Sequence, residues 1–399
     1  MALTNALIVG ASLAGIRAAE TLRRDGFDGP IAMVGDELHR PYDRPPLSKQ
    51  VLAGEWAVER TALLEDDAVD GLELDWHLGR RATRLDLSRR EVELDDGALL
   101  GFDGAIVATG ARPRTIPTGG LTGIHTLRTM DDAMAIRAGF EAGPRVVVVG
   151  AGFIGAEVAA TARMLGLDVT LVEAAPAPME RGLGRELGMV CADLHRDHGV
   201  DLRLGVGVEG FEGTGRVEAV RLSDDSTVPA DLVVVGIGVV PNTDWLEGSG
   251  LTIDNGVLCD ETCLAATGVV AAGDVARWPN RRFGEVMRVE HWDNAVEQGV
   301  AAARRLLVGE GAGTPFEPVP WFWSDQYDRK IQLAGRPNDA DEVTVVTGAI
   351  DERRFAALYR RGDRLAAVFG MNRPRHVMQY RQLIADGASW DAALESASS

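Results

Sequence analysis

Two short glycine strings carry the residues whose spacing could do chemistry. The second is Gly150, Gly152 and Gly155, with Glu173 lying 18 residues after Gly155. Between a strand and a helix, the first glycine makes the tight turn and the second lets the backbone approach a pyrophosphate. The third lets helix and strand pack closely, and the helix N-terminus offers N–H donors to anionic phosphates. The spaced acid then accepts from an adenosine ribose. The first string repeats this arrangement at Gly10 and Gly15, with Asp36 lying 21 residues after Gly15. It departs at one place, where Ser12 stands for the second glycine. A serine there either narrows the approach to the pyrophosphate or offers it a hydroxyl bond, and the site is expected to survive. Two such strings, each with a spaced acid, predict two dinucleotide sites. Glu173 would accept from a free 2′-OH and repel a 2′-phosphate, so NADH is expected over NADPH. The competing possibility is that Arg181 or Arg185 folds back to hold a phosphate.

The elements needed to position these turns can be read around them. Residues 4–9 predict a buried strand, IRAAETLRRDG a helix ended by Gly26, and 31–35 a second strand. The same order returns at residue 145 as RVVVVG, GAGFIG, AEVAATARMLG and DVTLVE. The chain therefore holds two copies of one β-turn-α-β unit, 140 residues apart from Gly10 to Gly150. Strand-like alternation fills 72–107 and closes on the buried strand FDGAIVATG. An analogous stretch, 200–238, follows the second unit. From about Trp321 the composition changes, and short strands plus a final helix are expected. The predicted domains are 1–113 with 245–320, 114–244, and 321–399.

The 399 residues are 46% apolar and 25% charged, in the soluble globular range, which excludes a disordered chain and a fibrous repeat. The formal net charge of −19 disfavours a nucleic-acid partner and an anionic membrane surface. Three cysteines, Cys191, Cys259 and Cys263, fit a reduced cytosolic protein. No basic leader precedes the glycine-broken N-terminal run, and no stretch of 18 apolar residues occurs, so neither a secretory signal nor a membrane span is expected. No His/Cys cluster has ligand spacing, so no metal is expected. One local excess stands out. Residues 353–381 hold eight arginines against one acid, Asp363. This is read as a docking surface for an acidic partner, centred on Arg353, Arg354, Arg360 and Arg361, or else as a solvated face with some arginines packed structurally.

Five further strings carry a resemblance: RPYDRPPLSK (40–49), VATGARPR (107–114), GIGVVPN (236–242), AAGDVAR (271–277) and PWFWSDQY (320–327). Together with the turns, and over nearly the whole chain, they resemble the FAD-dependent pyridine-nucleotide reductases. Within these the chain is similar to the NADH:ferredoxin reductases that serve oxygenases. The resemblance implies an α/β fold of two Rossmann-like dinucleotide-binding domains, glutathione-reductase-like, plus a C-terminal α+β domain covering the flavin. It implies non-covalent FAD and NADH as cofactors, and a [2Fe-2S] ferredoxin as electron acceptor.

Carried over position by position, the FAD contacts are Gly10, Ser12, Leu13, Ala14 and Gly15 at the first turn, with Asp36 and Glu37 after the second strand. Arg44, Pro45 and Lys49 would line the flavin side, and Ala82 the adenine end. Ala108, Thr109 and Gly110 would close over FAD, and Arg128 would contact it. Asp274 would meet its ribityl or pyrophosphate part and Trp292 would sit near the isoalloxazine, with Gly273, Glu290, His291 and Ala295 as further FAD contacts. The NADH contacts are Gly150, Gly152, Phe153, Ile154, Gly155, Glu157, Glu173, Arg181, Gly236, Ile237 and Gly238. Lys49, Glu157 and Trp323 are the implied catalytic residues. Hydride would pass from nicotinamide C4 to flavin N5, with Lys49 stabilising negative charge on reduced flavin, Glu157 its partner, and Trp323 bordering the stacking face.

Each of these has a plainer reading. Asp274 is also a good helix N-cap, Trp321-Phe322-Trp323 could be a core cluster, and Lys49 could be a surface charge, although Pro45-Pro46 stiffen its loop. No cysteine lies in residues 1–190, so disulfide-reductase and peroxidase chemistry are disfavoured. The remaining functional alternatives are an NADH:rubredoxin reductase, another flavin-dependent NADH oxidoreductase, and an apoptosis-inducing-factor-like flavoprotein with a binding role. A cytoplasmic monomer or weak homodimer is expected.

Overall fold

The computed structural model describes residues 3–397 and divides the chain into two compact units. The first contains residues 3–43, 61–112 and 240–320, and the second 44–60, 113–239 and 321–397. The chain thus changes unit at 43/44, 60/61, 112/113, 239/240 and 320/321. Residues 321–397 share the second unit with 113–239, so the chain divides in two and not into the three expected domains, and 44–60 also groups with the second unit and not with the first. The physical reason for the placement of 44–60 is a set of buried polar bonds inside that unit, including the Thr161 hydroxyl donating to the Ser48 carbonyl at 2.8 Å.

The first unit is built on a six-stranded sheet. Strand Ala6–Val9 is central, with parallel Ile31–Gly35 on one side and Gly104–Val107 on the other. Leu74–Leu78 extends one edge, and Val269–Ala271 then Leu264–Ala266 the other. Every residue of Ala6–Val9 and Gly104–Val107 is buried, as expected of parallel strands covered on both faces. Helix Leu13–Arg24 follows the first turn and packs against helix Trp292–Val308.

The second unit repeats the plan. Strand Arg145–Val149 is flanked in parallel by Asp168–Glu173 and Leu232–Val235, with Asp201–Leu204 and Ile124–Thr126 at the edges. Helix Phe153–Met164 follows its turn. In each copy the glycine turn leaves the central strand where the sheet order reverses, the place where such sheets bind ligands.

The same unit holds a five-stranded antiparallel sheet, ordered Trp321–Gln326, Arg329–Gly335, Arg364–Met371, Arg354–Arg361 and Glu342–Ala349. The C-terminal expectation needs amendment: these strands run to eight residues, and two helices follow, Pro374–Ala385 and Trp390–Ala397. Gly387, at φ +71°, breaks what the sequence suggested was one helix.

Candidate dinucleotide and redox site

The two turns match atom for atom. Gly10 N–H donates to Val34 O at 2.8 Å, and Gly150 N–H to Val172 O at 2.7 Å. Gly10 sits at φ +125° and Gly150 at φ +96°. A Cβ on Gly10 would lie 2.0 Å from Ala108 O, and one on Gly150 would lie 2.4 Å from Gly236 O. These clashes identify the second wall of each crevice. Ala108, Thr109 and Gly110 stand in the first unit where Gly236, Ile237 and Gly238 stand in the second. The third glycines are required equally, since a Cβ on Gly15 or Gly155 would lie 2.0 or 1.9 Å from the carbonyl of Gly10 or Gly150.

The middle position is different. Ser12 has φ −130°, ψ −162°, and Gly152 has φ −71°, ψ −176°; both are extended conformations that any residue adopts. A Cβ on Gly152 would meet nothing within 4 Å. Ser12 therefore costs the first turn nothing, and its hydroxyl makes no capping bond to its own helix. An anion resting on that helix N-terminus would find the hydroxyl beside it. Both cradles fit a dinucleotide.

The acids are held differently. Both Glu173 oxygens accept main-chain N–H donors, Oε2 from Ala151 at 2.6 Å and Oε1 from Ala175 at 2.8 Å. This fixes the carboxylate at the mouth of the second turn. Asp36 is largely exposed, with Arg81 Nη2 at 4.0 Å, and Glu37 accepts from the Tyr42 hydroxyl. Arg181 is exposed at the start of helix Glu180–Asp197. Arg185 lies beyond the break at Gly184, where φ is +75°. Phe153 packs on Phe322, whereas Ile154 and Ile237 are 44% and 37% exposed beside the turn.

Within the first unit, Ala14, Gly273 and Ala295 converge. A Cβ on Gly273 would lie 3.1 Å from Ala14 Cβ and 3.9 Å from Ala295 Cβ. Asp274 is not a helix cap. It is the middle residue of the short 3-10 turn Gly273–Val275, whose N-cap is Ala272. His291 is the N-cap of Trp292–Val308, and Trp292 Nε1–H donates to Asp43 Oδ1 at 2.7 Å. Glu290 pairs with Arg288 at 2.6 Å. The Thr109 hydroxyl donates to Asn242 O at 2.8 Å while Asn242 Nδ2 returns a bond to Thr109 O at 2.9 Å. Ala82 is buried at the start of strand Ala82–Asp86.

Within the second unit, Arg44 Nη1 donates to the Arg128 carbonyl at 2.6 Å. Pro45-Pro46 open a short 3-10 helix, Pro45–Ser48, that delivers Lys49. Lys49 is not a surface charge: its side chain is 11% exposed, and Nζ donates to Glu157 Oε2 at 2.8 Å. The tryptophan string is split by strand alternation. Phe322 points into the core, while Trp321 and Trp323 lie half-buried on the other face, ring centroids 5.4 Å apart.

The arginine-rich stretch does not form one patch. Strand Arg354–Arg361 runs the length of the sheet, so Arg353 and Arg354 sit at one end and Arg360 and Arg361 at the other, roughly 20 Å away. Arg353 pairs with Asp197 at 3.1 Å, and Arg360 lies 3.6 Å from Glu342. Arg361 grips Asp341, whose side chain is 1% exposed, through two bonds of 2.9 Å.

The comparison with known proteins then decides the family. The pattern described as pyridine nucleotide-disulphide oxidoreductase matches residues 4–299, and one described as reductase C-terminal matches 321–397. The chain belongs to the pyridine nucleotide-disulphide oxidoreductase family. It is 40% identical to rhodocoxin reductase of Rhodococcus erythropolis over 95% of this chain and 89% of that protein. It is 37% identical to putidaredoxin reductase of Pseudomonas putida over 96% and 92%. Its fold follows the crystal structure of the covalent putidaredoxin reductase–putidaredoxin complex with a TM-score of 0.92, covering 97% of this chain and 94% of that one, at 37% identity.

The thiols here are all buried. Cys191, Cys259 and Cys263 are free and buried, and burial pushes Cys191 and Cys263 up to about 12 and Cys259 higher still. Among the described residues, no group of three or more His, Cys, Asp or Glu could hold a metal ion, and no helix is long and apolar enough to cross a membrane. Sequence reasoning missed Ser48, Asp43, Asn242, Ser324 and Gln326 as parts of these arrangements. All but Asp43 and Asn242 are wholly buried polar side chains, and only Ser324 and Gln326, at alternate positions of an apolar strand, left a trace in the pattern.

Proposed function

We propose that this chain is an FAD-dependent NADH:ferredoxin oxidoreductase that feeds a monooxygenase or dioxygenase. The observation that carries this reading is the pair of equivalent turns on two parallel sheets, one for each dinucleotide. The acceptor follows from the relatives, whose names place them with rhodocoxin, putidaredoxin and, for a further relative in Paraburkholderia xenovorans, a biphenyl dioxygenase system. Bound FAD supplies the exchange between a two-electron donor and a one-electron acceptor. The chain's own residues bind and orient. The first turn and Asp36 hold the FAD pyrophosphate and ribose, and the second turn and Glu173 hold NADH. Glu173 is fixed beside Ala151 and repels a 2′-phosphate. Lys49 supplies positive charge and Glu157 holds it in place, while Trp323 borders the nicotinamide-stacking face. The protein acts in the cytoplasm as a monomer or weak homodimer.

The test is stopped-flow reduction of the purified yellow protein. NADH bleaches the flavin quickly, NADPH slowly, and an added [2Fe-2S] ferredoxin passes electrons on to cytochrome c. Bleaching without ferredoxin reduction overturns the acceptor, and failure to take up FAD overturns the first site. Lys49→Met binds FAD but is reduced by NADH more than tenfold more slowly; an unchanged rate removes the role of Lys49.

A further inference from the structure

The buried face of strand Trp321–Gln326 carries Phe322, Ser324 and Gln326. Phe322 is an ordinary core residue against Phe153. Ser324 and Gln326 are wholly buried and polar, and groups of that kind destabilise a core unless they are bonded. Their bonds run in one direction. Gln326 Nε2 donates to Ser324 Oγ at 3.1 Å, and Ser324 Oγ donates to Glu157 Oε1 at 2.8 Å. A serine hydroxyl has one proton, so a donor entering its lone pair turns that proton the other way, toward the carboxylate. Among the described residues Gln326 Oε1 finds no hydrogen-bond partner, so the amide is held by its donor end alone.

The second Glu157 oxygen is occupied independently. Oε2 accepts from Lys49 Nζ at 2.8 Å and from Ser48 Oγ at 2.5 Å. Glu157 itself is 3% exposed. With Ser324 on one oxygen and Ser48 and Lys49 on the other, the carboxylate cannot rotate about its terminal torsion without breaking a bond. Its orientation sets where the ammonium stands, because Lys49 reaches it on a flexible four-carbon stem.

We propose that Ser324, oriented by Gln326, is a positioning residue that fixes the Glu157 carboxylate and through it the Lys49 ammonium. The proposal rests on the reading that Lys49 and Glu157 serve reduction of the flavin by NADH. No role for Ser324 or Gln326 follows from the glycine turns or from the spacing of Lys49 and Glu157.

A double-mutant cycle on the FAD-loaded enzyme tests it, with Glu157→Gln, Ser324→Ala and the pair together. The readouts are the limiting rate of flavin bleaching, the NADH dissociation constant from the same series, and the midpoint potential of the bound flavin. Ser324→Ala lowers the limiting rate about tenfold, the worth of one hydrogen bond to a charged group. It leaves the dissociation constant within about twofold and moves the potential to more negative values. Ser324→Thr, which keeps the donor, restores the rate and the potential. In the Glu157→Gln background, Ser324→Ala adds less than about twofold, because the group through which it acts is gone. Equal losses in both backgrounds, or an unchanged rate and potential in Ser324→Ala, overturn the proposal while leaving the Lys49–Glu157 reading intact. A Glu157→Gln enzyme with wild-type rate and potential overturns that reading and the proposal with it. If Ser324→Ala does not fold, Ser324→Cys gives the same comparison with a weak donor of similar size.

Discussion

Sterics at single atoms decide the identity of most turn residues, which is why spacing along the chain is enough to reveal the turns. Gly155→Ala would place a methyl 1.9 Å from the Gly150 carbonyl, a backbone atom that cannot rotate away. We expect a loss of about 1–3 kcal/mol and failure to saturate with NADH while FAD stays bound, read by chemical unfolding and by stopped-flow titration. Gly152→Ser, the counterpart of the natural Ser12, changes stability by less than about 0.5 kcal/mol and raises only the half-saturating NADH concentration. Ser12 marks where spacing stops being informative. Spacing shows that a position belongs to a turn, but only φ and ψ show whether that position needs glycine.

Short elements carry the side chains that the turns do not. The pair Pro45-Pro46 reads as the stiffener of a loop and instead starts a 3-10 helix, which fits the fixed φ of proline. The last turn of helix Glu180–Asp197 carries His195, which is wholly buried, with Nδ1 2.9 Å from the Tyr327 hydroxyl. Burial, helped by the neighbouring His198, pushes His195 down to about 4 from its ordinary 6.5. The unfolded chain therefore binds a proton between pH 6.5 and 4 that the folded chain refuses, so stability falls as pH drops through that window. By pH 4.5 the loss is roughly 2 to 3 kcal/mol. His195→Asn removes it, so the melting temperature of the variant falls less between pH 7 and 4.5 than that of the wild type. Equal falls in both proteins exclude His195 as the cause. The sequence does not mark this histidine as buried, and its hydroxyl partner Tyr327 lies 132 positions away.

At the scale of the whole molecule, charge is organised differently from how it reads along the chain. The run of eight arginines looks like one basic patch, yet a strand separates its two ends and carboxylates already engage Arg353, Arg360 and Arg361. Docking of an acidic ferredoxin, which we retain as a proposal, is best probed at exposed Arg354. Arg354→Glu flattens the salt dependence of ferredoxin reduction and leaves stability within about 0.5 kcal/mol. Arg361→Glu instead abandons the buried Asp341 carboxylate and costs about 2 kcal/mol or more. A salt dependence unchanged in Arg354→Glu removes this end of the sheet from docking.

Both dinucleotide turns, their parallel strands and the spacing of Asp36 and Glu173 were determined by the sequence alone. Each of these is encoded within some thirty residues, where backbone sterics and hydrophobic period leave few alternatives. The lack of a cysteine near the first turn was equally visible, and so was the change of composition at Trp321. Only the tertiary structure decided that residues 44–60 join the second unit, that Trp323 faces away from Phe322, and that Ser48, Lys49 and Ser324 meet on Glu157. The physical reason is range. Those donors lie 109, 108 and 167 residues from the carboxylate they share. A buried polar group can name the kind of partner it needs, but only the packed fold determines which distant residue supplies it.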